Sequence, residues 1–190
     1  MIQVVFICLG KAEEGFIILK MFFVGNICRS PLAEVVFSHV LSQEQHDLVS
    51  MNWKPFYWLP KEIHVSSAAT SAYEIGNPAD ERAQQVALSR NLHSIQQHRA
   101  RRLHPTLFLA EADEIVLICM DENNKHDTQT FLQKHPHLLN RTRLHLFSDF
   151  GGETGVEVID PYYGDLEDFQ SVLLQCERYS RELLGRLRQR

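Results

Sequence analysis

Apolar runs that stop at turn residues alternate along this chain with stretches whose apolar positions recur at helical spacing. Four runs read as strands: Gln3 to Cys8, Glu62 to Ser66, Glu114 to Cys119 and Thr142 to Phe147. The periodicity predicts helices over Pro31 to Gln43, Pro78 to Arg90, Glu122 to Lys134 and Leu166 to Leu187, two of them with proline at or near the first turn. Four strands and about five helices in alternation predict one three-layer α/β/α domain, a sheet covered on both faces. Sheets of this kind take ligands beyond the carboxyl ends of their strands, which is where Cys8 and Asn26 to Ser30 fall.

Two stretches stand outside that alternation. Met51 to His64, with Trp53, Phe56, Tyr57, Trp58 and two prolines, reads as an aromatic-rich loop, packed on its own domain or offering a binding surface. Phe16-Ile17-Ile18-Leu19-Lys20-Met21-Phe22-Phe23 is as apolar as a strand but sits where a loop is expected.

Composition narrows the function classes. With 190 residues, 44% of them hydrophobic, one well-buried core is the expectation. A net charge of −5 gives no electrostatic case for nucleic acid or an anionic membrane, and the basic Arg181, Arg186, Arg188 and Arg190 suit a solvated helix end. No apolar stretch is long enough to span a bilayer and no cleavable signal is visible, so a cytoplasmic location is expected. Four cysteines without CxxC spacing form no disulfide framework; Cys119 and Cys176 lie in apolar runs and read as packing residues. His135-Pro136-His137 is the densest histidine pair, but no further ligand falls at helical spacing beside it, and no metal or other cofactor is expected.

The chemistry lies around Asn26-Ile27-Cys28-Arg29-Ser30-Pro31, which reads as the second half of an anion-gripping loop. Its first half, Val5-Phe6-Ile7-Cys8-Leu9-Gly10, comes fifteen residues too early; without Lys11 to Gly25 the chain reads Cys, five residues, Arg, Ser after a hydrophobic strand. A cysteine there meets backbone N–H groups and the positive end of a helix, both of which lower a thiol's pKa. The amides of Leu9, Gly10, Asn26, Ile27 and Cys28 would curl around phosphate oxygens, and the fork of Arg29 would close the cradle with two parallel hydrogen bonds. Cys8 becomes the candidate nucleophile, Arg29 the clamp and Ser30 the stabiliser of the departing sulfur. A leaving oxygen also needs a proton, and Asp160 in Asp160-Pro161-Tyr162-Tyr163-Gly164 is the candidate acid.

Together these motifs resemble the low-molecular-weight protein tyrosine phosphatases, in their eukaryotic form. The resemblance continues through Ser67 to Pro78, His98-Arg99-Ala100-Arg101 and Ile118 to Asn124, and covers nearly the whole chain. It implies a four-stranded parallel sheet of the phosphotyrosine protein phosphatase I-like fold. It also implies a phosphocysteine intermediate, no metal, and hydrolysis of phosphotyrosine in proteins and of small aryl phosphates. By the same resemblance Cys8, Arg29 and Asp160 are catalytic, Asn26, Ser67 and His98 form the network that supports the loop, and Tyr73 and Tyr162 wall the cleft. Cys28 matches a second loop cysteine that can form a protective disulfide with the nucleophile. Tyr162 and Tyr163 match positions that tyrosine kinases can phosphorylate. Arsenate reductases share the fold and loop but need further reactive cysteines, and only the core-like Cys119 and Cys176 remain for that role.

The segment Lys11 to Gly25 departs from the family pattern and leaves two chain paths open. In one, Gln3 to Cys8 is the central strand and the segment loops out, with Gly10 and Asn26 brought to neighbour distance, about 3.8 Å. In the other, the apolar run is itself the central strand, and Phe23, six positions before Arg29, stands in the nucleophile's place. The first path gives a phosphatase. The second gives a pseudophosphatase that holds phosphotyrosine or an oxyanion without forming a phosphocysteine. Removing the segment rejoins the motif in frame, as alternative splicing or a misplaced gene boundary would allow.

Overall fold

The computed structural model describes residues 18–25, 27–50, 62–108, 114–153 and 155–187. Among these, strands β1 (Ile18–Gly25), β2 (Glu62–Ala69), β3 (Glu114–Cys119) and β4 (Thr142–Leu146) form one sheet in the order β2-β1-β3-β4. Every pairing is parallel. The described residues also form the α-helices α1 (Arg29–Ser50), α2 (Glu81–Leu88), α3 (Glu122–Gln133) and α4 (Leu166–Leu187).

The two central strands are apolar on both faces, as a parallel sheet with helices on each side requires. Phe23 of β1 and Val116 and Ile118 of β3 enter one core with α1, α2 and α4, where Phe37, Phe169, Tyr179 and Leu183 are buried. Phe22 and Val24 of β1 and Ile115, Leu117 and Cys119 of β3 enter the other, with Phe108 and Leu132 of α3. Period-two alternation thus divides β1 between two cores.

The sequence reading holds for β3 and α4 at both ends, and β2, β4 and α3 extend or stop within three residues of expectation. Helix α1 is longer at both ends than Pro31 to Gln43, and α2 is shorter than Pro78 to Arg90 because Asp80 caps it at Glu81. The stretch read as an aromatic loop ends in strand, since Glu62 to His64 belong to β2; residues 51–61 lie outside the described residues.

The consequential difference is the central strand. Ile18–Gly25 makes the ladders to both β2 and β3, with Phe23 opposite Ser67 on one side and Ile118 on the other. The place that the first chain path gives to Gln3 to Cys8 is therefore held by the apolar run, and residues 18–25 are strand rather than an excursion from the anion loop. The physical reason is hydrophobic: Phe22, Phe23 and Val24 are fully buried, and as a surface loop the same residues would expose two phenyl rings. Cys8, Leu9, Gly10 and Asn26 lie outside the described residues.

Candidate active site

The strand order reverses at β1 and β3: the chain leaves β1 through α1 to β2, then returns past β1 to β3. Such switch points open a crevice at the carboxyl ends of the strands. Here the crevice is laced by backbone hydrogen bonds. Met120 N–H donates to the Val24 carbonyl at 3.2 Å, and Val158 N–H donates to the Met120 carbonyl at 2.9 Å. The Asp80 N–H donates to the Ile27 carbonyl at 3.3 Å, tying the loop before α1 to the start of α2.

Arg29, the first residue of α1, occupies the centre of this crevice with only 5% of its surface exposed. Its Nη1 donates to the Val158 carbonyl at 2.7 Å, and its Nη2 lies 2.7 Å from Asp121 Oδ2 and 3.3 Å from Asp160 Oδ2. Its Nε has no hydrogen-bond partner among the described residues. A guanidinium so buried must be paired, and it is held by two carboxylates from different loops. Asp121 is fixed from its other side, because Oδ1 accepts the Asn124 N–H at 2.6 Å as the cap of α3. Asp160 is half-exposed and bends back on its own loop, its Oδ1 accepting the Tyr162 N–H at 3.2 Å.

The loop carrying Asp160 is held by Arg82. This guanidinium donates to the Gly164 carbonyl at 2.7 Å and the Tyr162 carbonyl at 2.9 Å, and grips both oxygens of Asp80 at 3.0 and 2.9 Å. Its plane lies over the Phe169 ring, 4.5 Å from the centroid. The hydrogen bond from Arg82 holds the Asp80 carboxyl below the usual carboxylate range.

Ser30 and Cys28 flank Arg29, and both are buried. Burial, with Asp80 and Asp160 nearby, pushes the Cys28 thiol up to about 12, so at neutral pH it is a thiol rather than a thiolate. Burial likewise raises Cys119 to about 12 and raises Cys176, in keeping with packing roles. Ser67 and His98 do come together, through a residue the sequence did not single out: Ser67 Oγ donates to Glu34 Oε2 at 2.5 Å, and His98 Nδ1 lies 3.7 Å from the same oxygen. Arg101 Nε donates to the Ser67 carbonyl at 3.0 Å. Tyr73 is almost wholly exposed and Tyr162 partly so; Tyr162 packs edge-on against Tyr163, with centroids 5.0 Å apart.

The structure thus brings Arg29, Ser30, Cys28 and Asp160 to one crevice and joins Ser67 to His98. It adds Asp121, Asp80, Arg82 and Glu34. An Asp before a helical run is legible as a cap in Asp80 and Asp121, but the reach of Asp121 to Arg29 depends on the sheet order, which no local pattern encodes. His135, of the densest histidine pair, packs on Phe131 at 4.7 Å between centroids.

A family model described as low molecular weight phosphotyrosine protein phosphatase matches residues 55–190. The low molecular weight phosphotyrosine protein phosphatase of Mus musculus is 36% identical over 174 residues, covering 91% of this chain and 97% of that protein. The chain belongs to this family. The Homo sapiens protein of the same description is 34% identical over the same coverage. A solved protein tyrosine phosphatase from Entamoeba histolytica superposes with a TM-score of 0.63 at 28% identity, over 91% of this chain and 97% of its own. A Drosophila arginine phosphatase shares the fold with a TM-score of 0.68 at 20% identity, over 88% and 96%. By family this is a protein tyrosine phosphatase. No helix among its described residues is long and apolar enough to cross a membrane.

Proposed function

We propose that this chain binds phosphotyrosine, or a small aryl phosphate, in the crevice around Arg29 but does not hydrolyse it through a phosphocysteine. The supporting observation is Phe23. It stands six positions before Arg29, where the family's loop requires its cysteine, and its side chain is fully buried among Phe37 and Phe147, with ring centroids 5.9 and 5.2 Å away. A phenyl ring offers no nucleophile, and the nearby Cys28 is buried and protonated.

Binding, unlike hydrolysis, needs no nucleophile. The N-terminus of α1 supplies amides and the positive end of a 22-residue helix, and Arg29 supplies a buried fork. An entering phosphate dianion would displace Asp160, the more exposed of the two carboxylates, and retain Asp121 as the anchor that aims the guanidinium. Tyr73 and Tyr162 would wall the aryl group. The whole chain, residues 1–190, is read as one such domain bearing Lys11–Gly25 as an insertion at the phosphate loop, acting in the cytoplasm on phosphotyrosine proteins, with Tyr162 and Tyr163 open to a tyrosine kinase.

One observation favours the hydrolytic reading, in which Cys8 is the nucleophile and Asp160 the acid: the Asp160 carboxylate stands 3.3 Å from Arg29, within reach of a bound ester's leaving oxygen. Three proteins separate the readings: the full chain, the full chain with Cys8→Ser, and the full chain with Phe23→Cys, each assayed on a small aryl phosphate near pH 5.5 and for binding of a phosphotyrosine peptide. Binding without turnover in the first two, with turnover gained by Phe23→Cys, is the expected result. Turnover by the full chain that vanishes with Cys8→Ser would overturn the proposal.

A further inference from the structure

Two runs in this chain can serve as its first strand, and they match position for position. Phe6-Ile7-Cys8-Leu9-Gly10 and Met21-Phe22-Phe23-Val24-Gly25 are each four apolar residues followed by glycine. In the sheet, Phe22 and Val24 point to the core beside Phe108, and Phe23 points to the core beside Phe37 and Phe147. Placing the earlier run in the same register leaves every inward position apolar. One position changes in chemistry: a thiol replaces the phenyl ring at the site opposite Ser67 and Ile118. Exchanging one run for the other therefore keeps the fold and alters the nucleophile.

The junctions of the intervening segment have a second property, set by the genetic code. Gly10-Lys11 can be written GGT-AAG or GGT-AAA, so that an intron's opening GTAA follows the first base of the glycine codon. Phe22-Phe23-Val24-Gly25 can be written TTY-TTY-GTA-GGN, a pyrimidine-rich tract leading to the AG with which an intron closes. Cutting after the first base of codon 10 and after the first base of codon 25 removes fifteen codons' length, forty-five nucleotides. The remaining bases join as G and GN, which is again glycine, and the frame continues into Asn26. The residues permit both splice signals in one phase, and the codons at positions 10 and 24 decide whether they are present.

We infer that Lys11–Gly25 is the translated form of an excisable intron, and that its retention or removal decides whether the crevice around Arg29 carries Phe23 or Cys8 at the nucleophile's position. The regulation acts on one strand and spares the rest of the site, since Arg29, Asp121, Asp160 and the Asp80–Arg82 pair all lie downstream of it. The inference rests on the reading that the long chain binds without forming a phosphoenzyme; the short product would be the hydrolase.

The test is made on nucleic acid, so that it fails independently of that reading. Codon 10 is expected to be GGT and codon 24 GTA, and amplification across codons 5 to 35 of the transcript is expected to give two products differing by forty-five nucleotides. Any other codon at either position, or the long product alone in every tissue and stage sampled, overturns the inference and leaves the binding proposal standing. At the protein level, the chain without Lys11–Gly25 is expected to turn over a small aryl phosphate and to lose that turnover with Cys8→Ser. An inert short chain that still binds phosphotyrosine peptide would also overturn it.

Discussion

The two sides of the crevice are built on different terms. On the loops after β3 and β4 and at the start of α2, three carboxylates meet the two guanidiniums: Asp121 anchors Arg29, Asp80 anchors Arg82, and Asp160 lies between solvent and Arg29. On the β1 side the last residues before the loop, Met21 to Val24, are apolar, with Phe22, Phe23 and Val24 fully buried. One side is charged and hydrogen-bonded; the other contributes packing. The difference teaches that the charged groups around Arg29 and the position six residues before it belong to separate elements, so a change confined to β1 alters the second and leaves the first.

The sharpest way to break that comparison is to give the apolar side a nucleophile. Phe23→Cys restores Cys, five residues and Arg within β1 and the following loop, and on the binding proposal turnover of a small aryl phosphate should appear in the variant and not in the parent. The change also removes a ring packed against Phe37 and Phe147, which costs about 3 kcal/mol and lowers the melting temperature by roughly 6–12 °C. Thermal unfolding of the variant, measured beside its activity, separates a failed site from a failed fold. If a folded variant stays inert, the loop after β1 does not present residue 23 to the ligand.

On the charged side, Arg29→Lys tests whether recognition depends on the fork. Lysine keeps the charge but cannot span the Val158 carbonyl, Asp121 and a phosphate at once. Phosphotyrosine peptide affinity is expected to fall roughly 10- to 100-fold, the worth of one or two charge-assisted hydrogen bonds. Titration calorimetry at fixed salt measures it, and an unchanged affinity would place the ligand elsewhere.

The two sides were also unequally legible in the sequence. The strands β2 to β4, and α4 with its apolar stripe, follow from periodicity because each buries a face whose pattern is local. Arg29 is legible from its neighbours Cys28 and Ser30, whereas Asp160-Pro161-Tyr162-Tyr163 alone reads as a turn and gains its role only beside the other motifs of the resemblance. The choice of β1 is open in the sequence: two apolar runs that each end in glycine compete, and only tertiary packing separates them. Asp121 on Arg29 and Arg82 on the Tyr162 and Gly164 carbonyls were hidden for another reason, since both join segments about 80 to 90 positions apart whose meeting depends on topology.

Asp160 offers a finer probe of the charged side, because it occupies the clamp that the ligand needs. If the full chain binds without turnover, Asp160→Asn removes a competitor for Arg29 without changing side-chain size. The pair is half-exposed on the Asp160 side, so solvent screening limits its worth, and phosphate affinity should rise only about two- to fivefold. A fall in affinity would mean that Asp160 contacts the ligand favourably, the behaviour of a protonated acid, and would favour the hydrolytic reading.

The smallest effect concerns the hold of Arg82 on the Asp160 loop. Arg82→Gln loses the grip on Asp80 and at least one of the two loop carbonyls, so the Gly164 N–H, which donates to the Pro161 carbonyl at 2.9 Å, should lose protection against hydrogen exchange several-fold at neutral pH. The pH dependence follows from Asp80, whose carboxyl is held low by the hydrogen bond from Arg82. A group with a depressed folded-state pKa stabilises the fold fully above its unfolded value, about 3.9 for Asp, and that contribution is lost as pH falls through the lower folded value. The difference in protection between parent and Arg82→Gln should therefore be constant from pH 7 to 5 and shrink only below about pH 4. A difference that disappears already between pH 6 and 5 would assign the hold on the loop to a group other than Asp80, and would separate the Asp160 loop from the start of α2.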